Sequence, residues 1–223
     1  MENFFELFLF KNYDNINYMK QNNYSGKFIV FEGLDGSGQS TQVNLLKQYL
    51  EEKGFKVFAT KEPTKTSSVA QEIRDVLDKR KEISGDNLQK LFVQDRKEHL
   101  EKEILPALER GEMVVCDRYF FSTFAFGTAA GLDLEWLIGL NNEFLLPDIS
   151  FILKVSPEAC LERITKRGTE KTLFEVKEKM YKIWAVFEKL VPRFNNVFLI
   201  DGEKPIQEVF EDAKKIIFNK IKI

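Results

Sequence analysis

The stretch FEGLDGSGQST, residues 31–41, decides the reading of this chain. From Gly33 to Ser40 it has the spacing G-x-x-x-x-G-K-[ST] of a phosphate-binding loop, with Gln39 at the lysine position. The apolar run KFIVF (27–31) stands before it, and residues 39–53 follow with helical spacing of Val43, Leu45, Leu46, Tyr49 and Leu50. A loop between a buried strand and a helix N-terminus points successive backbone N–H groups at one spot, and the helix adds partial positive charge there. Gly33, Gly36 and Gly38 permit the turns and a close approach of backbone to phosphate. Ser40 stands where a hydroxyl ligates Mg²⁺. The bland alternative is a tight β–α turn with no ligand. Gln39 bears on catalysis more than on binding, because it removes the loop's one positive charge.

Outward from the loop, strands and helices alternate. KVFAT (56–60), MVVC (113–116), ISFILKV (149–155) and NVFLI (196–200) are further apolar runs of strand length. Between and after them, helices are expected over 67–80, 86–110, 122–130, 133–144, from Pro157, 172–190 and 204–221, with Pro106 kinking or shortening the second. Five apolar strands separated by helices give an α/β fold: a five-stranded parallel sheet with helices on both faces. Ligands of such sheets bind outside the carboxyl ends of the strands.

The 223 residues suit one such domain, expected over 25–223. A formal net charge of −2 gives no global basic field for nucleic acid or an anionic membrane, so anion binding must be local. Cys116 and Cys160 lie in apolar surroundings and read as reduced core residues of a cytoplasmic protein. Residues 1–24 form an N-terminal extension rich in Asn, Phe and Tyr; its FFELFLF run carries Glu6 and is too short to span a membrane. A poorly ordered extension, a chain start at Met19 and a surface helix packed on the domain are all open readings of it.

Three more segments carry chemistry. In VVCDRYFFSTFAF, Asp117 ends an apolar strand and so lies at the sheet edge beside the glycine loop, where a carboxylate holds Mg²⁺ or bonds a phosphate acceptor. Arg118 adds a fork-shaped donor suited to a phosphate monoester, although an Asp–Arg pair at a strand end is also a plain structural device. In LQKLFVQDRKEHL, Phe92 and Arg96 share a helix face. That face can stack and read a base, but spacing alone favours Phe92 in the core and Arg96 in a surface ion pair. His99, the single histidine, reads as structural or partly exposed, with no acid-base partner evident. The basic segment Arg163–Lys171 is either a lid over phosphates or a solvated charged loop.

Six segments in order, FEGLDGSGQST, TKEPT, LFVQDRKEH, DRYFFSTFAF, PDISFILKVSPEACLERI and IDGEKPIQEVF, resemble the thymidylate kinases, nucleoside monophosphate kinases of the P-loop class. The likeness covers about residues 27–215. It implies a three-layer P-loop NTPase fold, ATP and dTMP as substrates, Mg²⁺ as cofactor, and a homodimer. Gly33, Leu34, Asp35, Gly36, Ser37, Gly38, Gln39, Ser40 and Thr41 would hold the ATP phosphates, Arg163 would cover the adenine, and Ser40 with Asp117 would serve the metal. Asp35, Lys61, Pro63, Phe92, Arg96, Arg118, Tyr119, Ser122 and Phe126 would line the monophosphate site, Phe92 stacking on thymine and Arg96 bonding its edge. Catalysis would rest on Asp117, Arg118, Gln39 and a lid arginine, for which Arg167 is the best match because the loop carries Gly36 rather than an arginine.

Three departures stand out: Gln39 for lysine, Gly127 where many bacterial relatives have glutamine after an aromatic, and a reduced lid with Leu173 near where some relatives carry arginine. The expected reaction is ATP + dTMP → ADP + dTDP. The alternatives are a kinase for another pyrimidine deoxynucleotide, or a nucleotide-binding protein impaired in catalysis by Gln39.

Overall fold

The computed structural model describes residues 19–166 and 173–221, with backbone only at 173–175. Five strands form one all-parallel sheet: β1 (Lys27–Gly33), β2 (Val57–Lys61), β3 (Met113–Asp117), β4 (Ile149–Lys154) and β5 (Val197–Asp201), in the order β2-β3-β1-β4-β5. The helices are α1 (Gln39–Glu52), α2 (Ala70–Leu77), α3 (Gly85–His99), α4 (Leu105–Glu109), α5 (Phe120–Ala129), α6 (Leu134–Asn141), α7 (Pro157–Thr165), α8 (Leu173–Leu190) and α9 (Ile206–Ile221).

The strands are apolar because both faces are covered. Phe28 and Val30 of β1, Val114 and Cys116 of β3, and Ile152 of β4 join one core layer with α5 and α8. Their alternate neighbours Ile29, Phe31, Val115, Phe151 and Leu153 join the other with α1 and α9. Period-two alternation thus builds a three-layer α/β domain, and the carboxyl ends of β1, β2 and β3 carry the glycine loop, Lys61 and Asp117.

Pro106 does not end its helix. The chain runs from α3 through a π turn at Leu100–Ile104 into α4, with Pro106 in the first turn of α4. The wider turn just ahead accommodates the missing N–H and the ring. Residues 19–24 are tied to the domain: Met19 is in the core, Leu146 N donates to Lys20 O at 2.7 Å, and Asn22 Nδ2 donates to Asp148 Oδ2 at 2.6 Å. Cys116 and Cys160 are free and buried; burial pushes the Cys160 thiol up to about 12. Among the described residues no helix is long and apolar enough to cross a membrane.

Candidate active site

The glycine loop leaves β1 with positive φ at Gly36 (86°) and Gly38 (104°). A Cβ at Gly36 would stand 2.7 Å from the carbonyl oxygen of Cys160, so the loop packs directly on α7; at Gly38 it would meet nothing within 4 Å, on the open side. Gly38 then caps α1, whose first-turn N–H groups lack partners within the helix. Gln39 turns inward. It is 5% exposed, and its Nε2 donates to Gly33 O at 2.9 Å, closing the loop on itself. Leu34 is core, and Ser37 is buried with its hydroxyl unpartnered.

Asp117, at the end of β3, accepts the Ser40 hydroxyl on Oδ2 and the Lys61 ammonium on the same oxygen at 2.7 Å. A hydroxyl and a carboxylate that meet offer the hard oxygen donors Mg²⁺ takes alongside substrate phosphates and water. Among the described residues no group of three or more His, Cys, Asp or Glu converges to bind a metal ion without such help.

Arg118 follows with φ at 72°, a left-handed conformation rare for a large side chain. The surroundings over-determine it. Arg118 N donates to Phe31 O at 2.9 Å, Cys116 Sγ donates to Arg118 O at 3.0 Å, and Tyr119 N donates to Glu32 Oε1 at 2.8 Å. The twist throws the guanidinium between two cavities: Nη2 donates to Asp35 Oδ1 at 2.7 Å, Nη1 donates to Ser122 Oγ at 2.9 Å, and the head lies 5.1 Å over the Phe126 ring. Ser122 Oγ in turn donates to Glu32 Oε2 at 2.5 Å. Burial raises the Glu32 carboxyl to about 7, against the lowering pull of Ser122 and Arg118.

One cavity, of about 460 Å³, is lined by Asp35, Gly36, Gly38, Gln39, Ser40, Thr41, Lys61 and Arg118 on the loop side and by residues of α7 and α8 on the other. The second, of about 270 Å³, is lined by Asp35, Pro63, Phe92, Arg96, Arg118, Tyr119, Ser122 and Phe126. They share Asp35 and Arg118. The structure therefore gathers the expected monophosphate residues around one hollow, except that Lys61 lines the loop cavity instead.

Arg96 is neither free nor at the surface. It is 2% exposed; its Nε donates to Glu62 Oε2 at 2.8 Å, Nη1 to Asn141 Oδ1 at 2.5 Å and Nη2 to Thr123 Oγ1 at 3.1 Å. His99, expected without an acid-base partner, is fully buried between Glu62 Oε1 (3.1 Å from Nδ1) and Thr60 Oγ1 (2.7 Å from Nε2). Glu62 thus serves both. Arg163 spans from Ser37 O (3.3 Å) to Gly202 O (3.1 Å), tying α7 to the loop. Arg167 lies outside the described residues.

Sequence reasoning missed Glu32 and Gln89. Glu32 was signalled by a carboxylate inside an apolar strand run, a costly placement unless it is used. Gln89 stands one turn before Phe92 on the same face of α3, lines the second cavity, and has a buried Oε1 with no partner. A Cβ at Gly127 would stand 2.8 Å from Leu137 Cδ1, so the glycine lets α5 pack closely on α6, with Gln89 Cδ 3.4 Å away in ordinary contact.

The family model described as Thymidylate kinase matches residues 31–213. The chain is 37% identical over 201 residues to "Probable thymidylate kinase" of Pyrococcus horikoshii, covering 88% of this chain and 98% of the relative. It is 38% identical over 205 residues to "Thymidylate kinase" of Caldicellulosiruptor saccharolyticus, with the same coverages. Against "Thymidylate kinase" of Mesoplasma florum it is 36% identical over 205 residues, covering 88% of this chain and 97% of the relative.

Proposed function

The chain belongs to the thymidylate kinase family, nucleoside monophosphate kinases of nucleotide biosynthesis, and from that premise we propose that it transfers the γ-phosphoryl group of ATP to dTMP with Mg²⁺. One observation carries the reading: a loop cavity fit for a nucleotide polyphosphate and an aromatic-walled cavity meet at Asp35 and Arg118. A protein that only bound ATP would have no use for the second cavity or for an arginine held in a rare backbone conformation between the two.

In this reading the triphosphate lies along the loop, its oxygens on the N–H groups at the start of α1. Mg²⁺, held with the phosphates by Ser40 and Asp117, would neutralise charge on their oxygens. The pyrimidine stacks on Phe92 and the acceptor phosphate meets the Arg118 fork. An oxygen of that phosphate attacks the γ-phosphorus, the bond to the β,γ-bridging oxygen breaks, and ADP leaves. The protein's contribution is position and charge rather than covalent chemistry. Asp35 and Ser122 fix Arg118, and Glu32 fixes the turn that carries it. By the same family likeness, Arg167 stabilises the phosphoryl group in transit and the protein works as a homodimer. A coupled ADP-release assay against a panel of monophosphates tests the proposal: dTMP-dependent release supports it, and release with AMP or GMP in preference to dTMP refutes it.

A further inference from the structure

The loop carries no lysine, yet a cation stands in its cavity. We infer that Lys61, delivered from the end of β2, supplies the positive charge that position 39 lacks and holds the donor nucleotide's terminal phosphates. This rests on the kinase reading and adds a residue to it.

Four observations converge. Gln39 is out of play: its amide is buried and donates back to Gly33 O at 2.9 Å. The Lys61 ammonium stands 2.7 Å from Asp117 Oδ2, the oxygen that also accepts the hydroxyl of Ser40, the residue after Gln39. Lys61 lines the loop cavity with Gly38, Gln39, Ser40 and Thr41 and does not line the aromatic one. The other cation lining the loop cavity among the described residues, Arg118, is committed to Asp35 and Ser122 at the acceptor side.

The placement follows from register. Lys61 pairs with Asp117 across parallel strands, and Phe31, two residues before the glycine loop opens at Gly33, pairs with Asp117 from the other side. Three adjacent strand ends thus deliver the loop, the carboxylate and the ammonium to one edge. The Lys61 side chain is 54% exposed, so its stem is free to swing from Asp117 to a phosphate oxygen. A lysine is a mobile point charge with rotatable donors, which suits a phosphate that changes position during transfer. Gln39 then becomes intelligible: a lysine there would crowd a second ammonium against Lys61, whereas the amide braces the loop.

The test uses the full chain as wild type, Lys61→Met, Lys61→Arg, and Lys61→Met combined with Gln39→Lys. Calorimetry gives the affinities for the ATP analogue AMP-PNP and for dTMP separately, and steady-state assays give kcat and KM for each substrate. Lys61→Met should weaken AMP-PNP and lower kcat/KM for ATP about 10- to 100-fold, as expected for loss of a charge-assisted bond, with dTMP affinity unchanged. Lys61→Arg should retain most of the function, and Gln39→Lys should restore part of what Lys61→Met loses. Loss of dTMP affinity with AMP-PNP binding intact would make Lys61 a monophosphate-side residue and overturn the inference. So would an unaffected Lys61→Met protein, or a double variant no better than the single one. If the wild type binds AMP-PNP but never turns over dTMP, the kinase reading fails, while the AMP-PNP comparison still judges Lys61.

Discussion

Glu32 Oε1 accepts the backbone N–H of Tyr119 at 2.8 Å, and this bond locks the turn in which Arg118 holds its left-handed backbone. A fully buried acid under the site's central arginine has a measurable consequence in pH.

Burial raises the Glu32 carboxyl from the usual 4.5 to about 7 in the folded protein. Between those values the native state binds a proton that the unfolded chain has released, so stability falls as pH rises from about 4.5 to about 7. The contribution is on the order of 3 kcal/mol. Glu32→Gln keeps the acceptor for Tyr119 N and removes the ionisation. Its stability relative to wild type should therefore grow across that window and level off above it, as read from urea unfolding at pH 5, 6, 7 and 8. A difference that is flat with pH would show that Glu32 does not titrate there.

Asp117→Asn should leave a folded protein that binds nucleotide and turns over about 100-fold slower or worse. The carboxylate brings Ser40 and Lys61 to one oxygen, and an amide cannot supply that charge. Single-turnover kinetics with a melting curve as control measure it. Near-normal turnover would remove Asp117 from the mechanism.

Phe92→Ala should weaken dTMP by roughly 1–3 kcal/mol, the usual cost of a lost base–aromatic stack, and spare ATP. Phe92 lines the second cavity and is only partly buried, so its truncation should cost little in stability. Glu62→Ala provides the contrast. It leaves Arg96 charged and without its carboxylate in the interior, a change that typically costs about 3–5 kcal/mol. Thermal unfolding of the two variants side by side separates a binding residue from a structural one; equal losses would mean that Phe92 is core.

What the sequence disclosed and what it hid divide along the range of the interactions. The five strands were legible because each reads as an apolar run: β1, β3 and β4 are buried on both faces, and the edge strands β2 and β5 keep the run although they are only partly covered. The glycine loop was legible because its chemistry is local. Arg96 was not: its carboxylate, Glu62, stands 34 positions away in sequence, and Asn141 stands 45 away. The surface ion pair that spacing suggested became a buried network that also holds His99. Lys61 was legible as part of TKEPT, but its side depends on the register of β2 against β3. Pro106 announced an irregularity in its helix but not its form, because a π turn is a property of the backbone that residue preferences do not specify.

A chain whose loop lacks lysine is thereby assigned the transfer of phosphate from ATP to dTMP. That assignment is tested most directly by incubating the purified full-length protein with γ-labelled ATP, Mg²⁺ and one acceptor at a time, then separating the nucleotides. The expected result is label in dTDP that depends on dTMP, a weaker signal with dUMP because one missing methyl is worth only about 1–3 kcal/mol, and little with AMP or GMP. Nucleotide binding with no labelled diphosphate from any acceptor, and activity gained only on Gln39→Lys, would contradict it and leave a nucleotide-binding protein that Gln39 has silenced.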